Sequence, residues 1–116
     1  MTHEQLEKKV MEMSLIPRHD PQNHLFVQYL SSTVVSREFT GVGFTTRYTI
    51  SDNLTFEDVS KEICEVSAIF QDSEVILSFV VFITDGKLDV LEGYTSHGEW
   101  RKDYENIKLV CATTTT

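Results

Sequence analysis

Val75-Ile76-Leu77-Ser78-Phe79-Val80-Val81-Phe82-Ile83 runs at once into Thr84-Asp85-Gly86-Lys87 and then into Leu88, Val90 and Leu91, and the reading of this stretch decides the fold. β-Branched and aromatic side chains crowd a helix and fit a pleated surface, so residues 75–83 predict a strand. Asp-Gly between two apolar runs supplies the positive backbone angles of a tight turn, which makes the whole segment a β-hairpin. A strand with one face in water alternates polar and apolar residues, whereas 75–83 is apolar on both parities. It therefore predicts a central strand with both faces covered and a helix packed on at least one of them.

Upstream, residues 4–15 place Leu6, Val10, Met11 and Met13 near a 3.6-residue period among Glu and Lys, the pattern of a short amphipathic helix. Pro17 ends it, because the residue before a proline leaves the helical region. Residues 18–23 form a connector, and Pro21 can open a second helix with Leu25, Phe26, Tyr29 and Leu30 on one side. From residue 33 to 50 the composition shifts to strand formers, with Val35, Arg37 and Phe39 on one parity, then Thr46, Tyr48 and Ile50 after a Gly41-Val42-Gly43 break. Two strands separated by a glycine-bearing turn or bulge fit this.

Residues 55–71 read in two ways. Phe56, Val59, Ile63, Val66 and Phe70 keep helical steps, with Thr55 and Asp58 as a capping box, while Cys64, Val66, Ala68 and Phe70 alternate as a strand does. The periodicity count leans towards helix. Residues 107–111 predict a last strand and 112–116 a frayed tail. Together these predict one α+β domain over residues 1–116, with an N-terminal helix or helices packed on an antiparallel sheet of about five or six strands.

The 41% hydrophobic and 24% charged fractions exclude wholesale disorder and fibrous repeats. No apolar run approaches a bilayer span and the first residues lack a signal-like hydrophobic stretch, so a cytoplasmic protein with no membrane contact is expected. Ten Lys+Arg against 18 Asp+Glu give a net charge of -8, which argues against gripping nucleic-acid phosphates directly. Cys64 and Cys111 form no CxxC pair and have apolar neighbours, so both read as small buried hydrophobes. His19 and His24 flank Pro21 without the i,i+4 spacing of a helical metal site, His97 has no nucleophile near it in any motif, and Gly41-Val42-Gly43-Phe44 lacks the continuation of a phosphate cradle. The expectation is no catalytic residue, no metal and no cofactor.

Charge is instead concentrated locally. Residues 52–74 hold Asp52, Glu57, Asp58, Glu62, Glu65, Asp72 and Glu74 against the single base Lys61, and a second acidic stretch contains Glu92, Glu99 and Asp103. Such runs are most often solvated faces; the sharper reading is a surface that attracts a basic protein by mimicking a phosphate array. Tyr94 and Trp100, each a large apolar body with a hydrogen-bonding tip, are packing residues if covered and interface anchors if exposed.

Gly41-Val42-Gly43-Phe44-Thr45-Thr46, the Asp85-Gly86 turn, Leu91-Glu92-Gly93-Tyr94-Thr95 and Trp100 resemble a set of small acidic bacterial proteins. These carry a Gly-x-Gly-Phe-Thr stretch, an apolar strand, Asp-Gly, and Leu-Glu-Gly-Tyr-Thr before a tryptophan. The set is similar in turn to immunity proteins that neutralise polymorphic or contact-dependent toxins. The resemblance spans roughly half the chain and departs at Gln71-Asp72-Ser73-Glu74 and Ser96-His97-Gly98. It implies a strand over 62–70 and a non-catalytic protein that forms a heterodimer with a cognate toxin, for which the acid excess suits a basic nuclease. Its binding surface would comprise the acids at 52–74 and 92–103 with Tyr94 or Trp100. The alternative is a homo-oligomeric structural or adaptor module pairing through an exposed edge strand.

Overall fold

A computed structural model describes residues 1–15, 24–55 and 60–111. The elements run α1 (His3–Ser14), α2 (His24–Ser31), β1 (Thr33–Phe39), β2 (Gly43–Thr49), a 3₁₀ turn (Asp52–Leu54), β3 (Lys61–Phe70), β4 (Ile76–Thr84), β5 (Lys87–Thr95), a second 3₁₀ turn (Tyr104–Asn106) and β6 (Ile107–Cys111). The six strands form one antiparallel sheet in the order β1-β2-β5-β4-β3-β6, and the two N-terminal helices pack on it, which makes the fold α+β as expected. The hairpin is also as expected: Thr84 pairs with Lys87, and Asp85 (φ 50°) and Gly86 (φ 77°) both take positive φ.

Thr2 caps α1 reciprocally, its hydroxyl accepting from the Gln5 amide at 3.2 Å while the Gln5 side chain accepts from the Thr2 amide at 2.8 Å. Leu6, Val10, Met11 and Leu15 then face the sheet. In α2 the buried stripe is Leu25 and Gln28, and Leu30, expected on the buried side, is 62% exposed. Gln28 takes its place because its amide is fully used: it donates to the carbonyls of Leu54 (2.7 Å) and Gly86 (2.8 Å) and accepts from the Leu88 amide (2.7 Å). α2 is thereby fastened to the hairpin turn. Pro17, Pro21 and His19 lie outside the described residues.

The leaning towards helix over 55–71 is overturned for its second half, where β3 pairs with β4 and β6. A β-bulge explains the misleading period. Ile63 opposes Val81 and Val66 opposes Phe79, so Cys64 and Glu65 together oppose Val80 and the inward parity is reset. Two core residues three apart imitate a helical step. Cys64, in the bulge, is exposed, and Cys111 on the edge strand β6 is half-buried, against the expectation of two buried thiols. Phe56, Asp58 and Val59 of the expected helix, and the tail 112–116, lie outside the described residues. In β1 a second bulge between Val34 and Ser36 puts Val35 at 64% exposure while Arg37 and Phe39 stay beside the core-facing Thr46 and Phe44.

The core is the layer between helices and sheet: Leu6, Val10, Met11 and Leu25 against Ile63, Val66, Phe70, Leu77, Phe79, Val81, Ile83, Leu88 and Leu91. Each such side chain contributes about 1.5–3 kcal/mol by leaving water. Trp100 closes one end of this layer, its ring 5.2 Å from Phe44 and 6.1 Å from Phe79. Gly93 makes that possible, since a β-carbon there would overlap the Phe44 ring and touch Trp100. Gly93 and Trp100 are thus one packing unit.

The other face of the sheet departs from expectation. Ser78, Val80 and Phe82 of β4 are half-buried and Ile76 is 42% exposed, and among the described residues no helix covers them. The principal extents of 44 × 36 × 21 Å agree with one helix layer on one sheet layer. Apolar character on both parities marked β4 as central without ensuring that a helix of the described residues covers its second face.

Candidate functional site

Strand register assembles this open face row by row. One row crosses the sheet as Glu38, Thr45, Glu92, Val80 and the Cys64–Glu65 bulge; the next as Arg47, Val90, Phe82 and Glu62; a third as Tyr94, Ser78, Ser67 and Val110. Because neighbouring strands lie about 4.8 Å apart, residues in a row are immediate neighbours. An apolar strip, Ile76, Val80 and Phe82, with Val90 buried beside Phe82, therefore lies along the middle, with Glu62 and Glu65 on its β3 side and Glu92 and Glu38 on its β5 side. Tyr94, 45% exposed, and Ile69, 42% exposed, extend it towards the end where β4 begins.

The sequence-predicted acids are not one patch. Glu62, Glu65 and Glu92 come together on this face with Tyr94, although residues 62 and 92 are far apart in the chain. Asp52 sits at the hairpin end, ion-paired with Lys87, which holds its carboxyl below the usual range. Asp72 and Asp103 lie towards the opposite end, both bound to Arg101 at 3.2 and 2.5 Å, and the Arg101 hydrogen bond lowers the Asp103 carboxyl likewise. Arg101 also stacks 3.9 Å over Phe70, so their charge is met within the fold. Glu74 and Glu99 are exposed on the loops at that end. Glu57 and Asp58 lie outside the described residues. Of the two aromatic anchors, Trp100 is 8% exposed and belongs to the core, so Tyr94 alone of the pair offers its ring to a partner.

A buried ionic cluster under α1 was not anticipated. Glu7, 2% exposed, accepts from Arg37 through Nε (2.9 Å) and Nη2 (2.7 Å), from the Thr46 hydroxyl (2.5 Å) and from the Tyr48 hydroxyl (3.4 Å). His3 Nε2 lies 2.9 Å from the same carboxylate and Nδ1 lies 2.8 Å from the Tyr104 hydroxyl, which accepts from Trp100 Nε1 at 3.0 Å. With a neutral imidazole every proton finds an acceptor: Tyr104 donates to Nδ1 and Nε2–H donates to Glu7. Burial alone would raise the Glu7 carboxyl, but hydrogen bonds from His3, Arg37 and Thr46 and the Arg37 charge outweigh it and hold it at about 2. The hydroxyl–imidazole–carboxylate order is that of a nucleophilic triad. Tyr104, however, is 3% exposed, burial raises its hydroxyl, and the cleft of about 300 Å³ beside the cluster is lined by Glu7, Arg37 and Tyr48 and not by Tyr104. The cluster joins α1 to β1, β2 and the last 3₁₀ turn. Its legible signal was the i,i+4 spacing of His3 and Glu7, with Arg37 on a core-facing parity.

Among the described residues no three His, Cys, Asp or Glu side chains are grouped so as to hold a metal ion, and no helix is long and apolar enough to cross a membrane. Compared with protein-family models, with curated proteins and with solved structures, the chain finds no match in any of the three.

Proposed function

We propose that this protein is a cytoplasmic, non-catalytic immunity protein that binds a cognate bacterial toxin domain, a basic nuclease in the first instance, and blocks it by occluding its active site. The observation that carries this reading is the open sheet face, where apolar side chains sit between Glu38, Glu62, Glu65 and Glu92 in a chain of net charge -8. A surface with an apolar centre and charged surroundings has the anatomy of a protein interface, and its sign suits a cationic partner. The resemblance of the Leu91–Thr95 stretch to small acidic bacterial proteins, which are in turn similar to immunity proteins, supports the same reading.

The test starts from the neighbouring reading frame: the basic domain encoded beside this chain is expressed with it, and complex formation and relief of toxicity are measured. Affinity should fall steeply with salt through a slower on-rate, and Glu62→Lys with Glu65→Lys should weaken it by tenfold or more. A neighbouring product that neither binds nor is inhibited overturns the reading. The second reading, self-association, is favoured by the free edge of β1 with Val34 and Val35 exposed, yet the bulge between Val34 and Ser36 interrupts the edge a second copy would pair with. Sedimentation at several concentrations separates the two.

A further inference from the structure

We infer that the open face receives an amphipathic helix of the partner, apolar along its contact line and bearing lysine or arginine on both flanks. This rests on the docking role proposed above and specifies its chemistry. The outward positions of β4, Ile76, Ser78, Val80 and Phe82, follow one another at two-residue intervals, so the strip is about 20 Å long, the length of about 13 helical residues. From β3 to β5 the sheet spans about 10 Å, which matches a helix of about 10–12 Å diameter lying along β4. Such a helix would set one flank against Glu62 and the other against Glu92 and, further out, Glu38.

Charge decides between the occupants. A second copy laid face to face would bring Glu62, Glu92 and Glu38 against their own duplicates, with Arg47 and Lys108 fewer than the acids to be offset. An uncharged apolar helix would desolvate Glu62 and Glu92 without pairing them. A cationic amphipathic helix does neither. β4 itself gives the reason to expect a cover, since its outward residues are the apolar types of a strand buried on both sides.

Cys64, exposed and opposite Val80, reports occupancy directly. In a Cys111→Ser background, the rate of Cys64 alkylation is measured with a synthetic leucine–lysine peptide whose leucines follow i, i+3, i+4, i+7, and with a scrambled peptide of the same composition. The amphipathic peptide should slow alkylation at least tenfold and the scrambled one should not. Val80→Lys and, as a milder variant, Glu92→Lys should each abolish the protection, and Asp72→Lys should leave it intact. Equal protection by both peptides, protection that survives Val80→Lys and Glu92→Lys, or no protection at all overturns the inference. If alkylation is unprotected while the protein still inhibits the toxin encoded beside it, the helix-binding face is wrong and the immunity role stands; if the peptide protects and no neighbouring toxin is inhibited, the reverse holds.

Discussion

Phe79 and Val81 of β4 point under the helices and are 1% and 0% exposed, whereas Val80 and Phe82, of the same residue types in the same strand, are half-buried on the other face. The covered face is finished within the chain: α1 and α2 bury it, Gly93 lets Trp100 seal one end, and Glu7, Arg37 and His3 connect its layers by a satisfied ionic cluster. The open face has comparable apolar content in its central strand and carboxylates around it. The difference teaches that the covered face holds the described fold together, while the open face, which no helix of the described residues covers, is the surface on which the proposed partner would dock.

Truncating the covered face should have the largest effect. Phe79→Ala is expected to cost about 3–5 kcal/mol in urea denaturation, because it opens a cavity among Phe44, Trp100 and the helices. A loss below about 1 kcal/mol would mean that the helix layer does not pack as described. Next is the ionic cluster. The Glu7 carboxyl lies at about 2 in the folded chain against an ordinary 4.5, so its contribution is full above pH 4.5 and is lost as the pH falls towards 2. That shift corresponds to about 3 kcal/mol. Glu7→Gln should therefore be less stable than the parent by roughly that amount at pH 7, and the gap should close on acidification; a gap independent of pH would remove the electrostatic account.

Gly93→Ala should cost about 1–3 kcal/mol by forcing Phe44 and Trp100 apart, read as a lower thermal midpoint together with a changed tryptophan emission. The smallest effect sharpens the comparison most. Phe82→Thr on the open face should change stability by less than about 1 kcal/mol, while weakening binding to any partner that docks there. A loss as large as that of Phe79→Ala would show the two faces to be equally internal.

The hairpin was legible because Asp85-Gly86 and its apolar flanks act locally, and α1 because its stripe obeys one period. β3 was not, because period counting assumes that every residue advances by the same rotation, and the Cys64–Glu65 bulge breaks that rule after tertiary pairing has placed it. The acidic run at 52–74 looked like a single patch because proximity in the chain stood in for proximity in space. A strand of ten residues intervenes and carries its ends about 30 Å apart. Trp100 could be called anchor or packing residue from sequence, and the missing side chain of Gly93 decided for packing.

What the sequence by itself determined was the inventory: a helical N-terminal region, a strand-rich body, a tight Asp-Gly turn and an excess of acid, all set by local backbone preferences and by composition. Which carboxylates share a surface, which are consumed by Arg101, Lys87 or Arg37, and which face of β4 is left open were decided by tertiary structure, because strand register and bulges join residues tens of positions apart and no local preference encodes that distance.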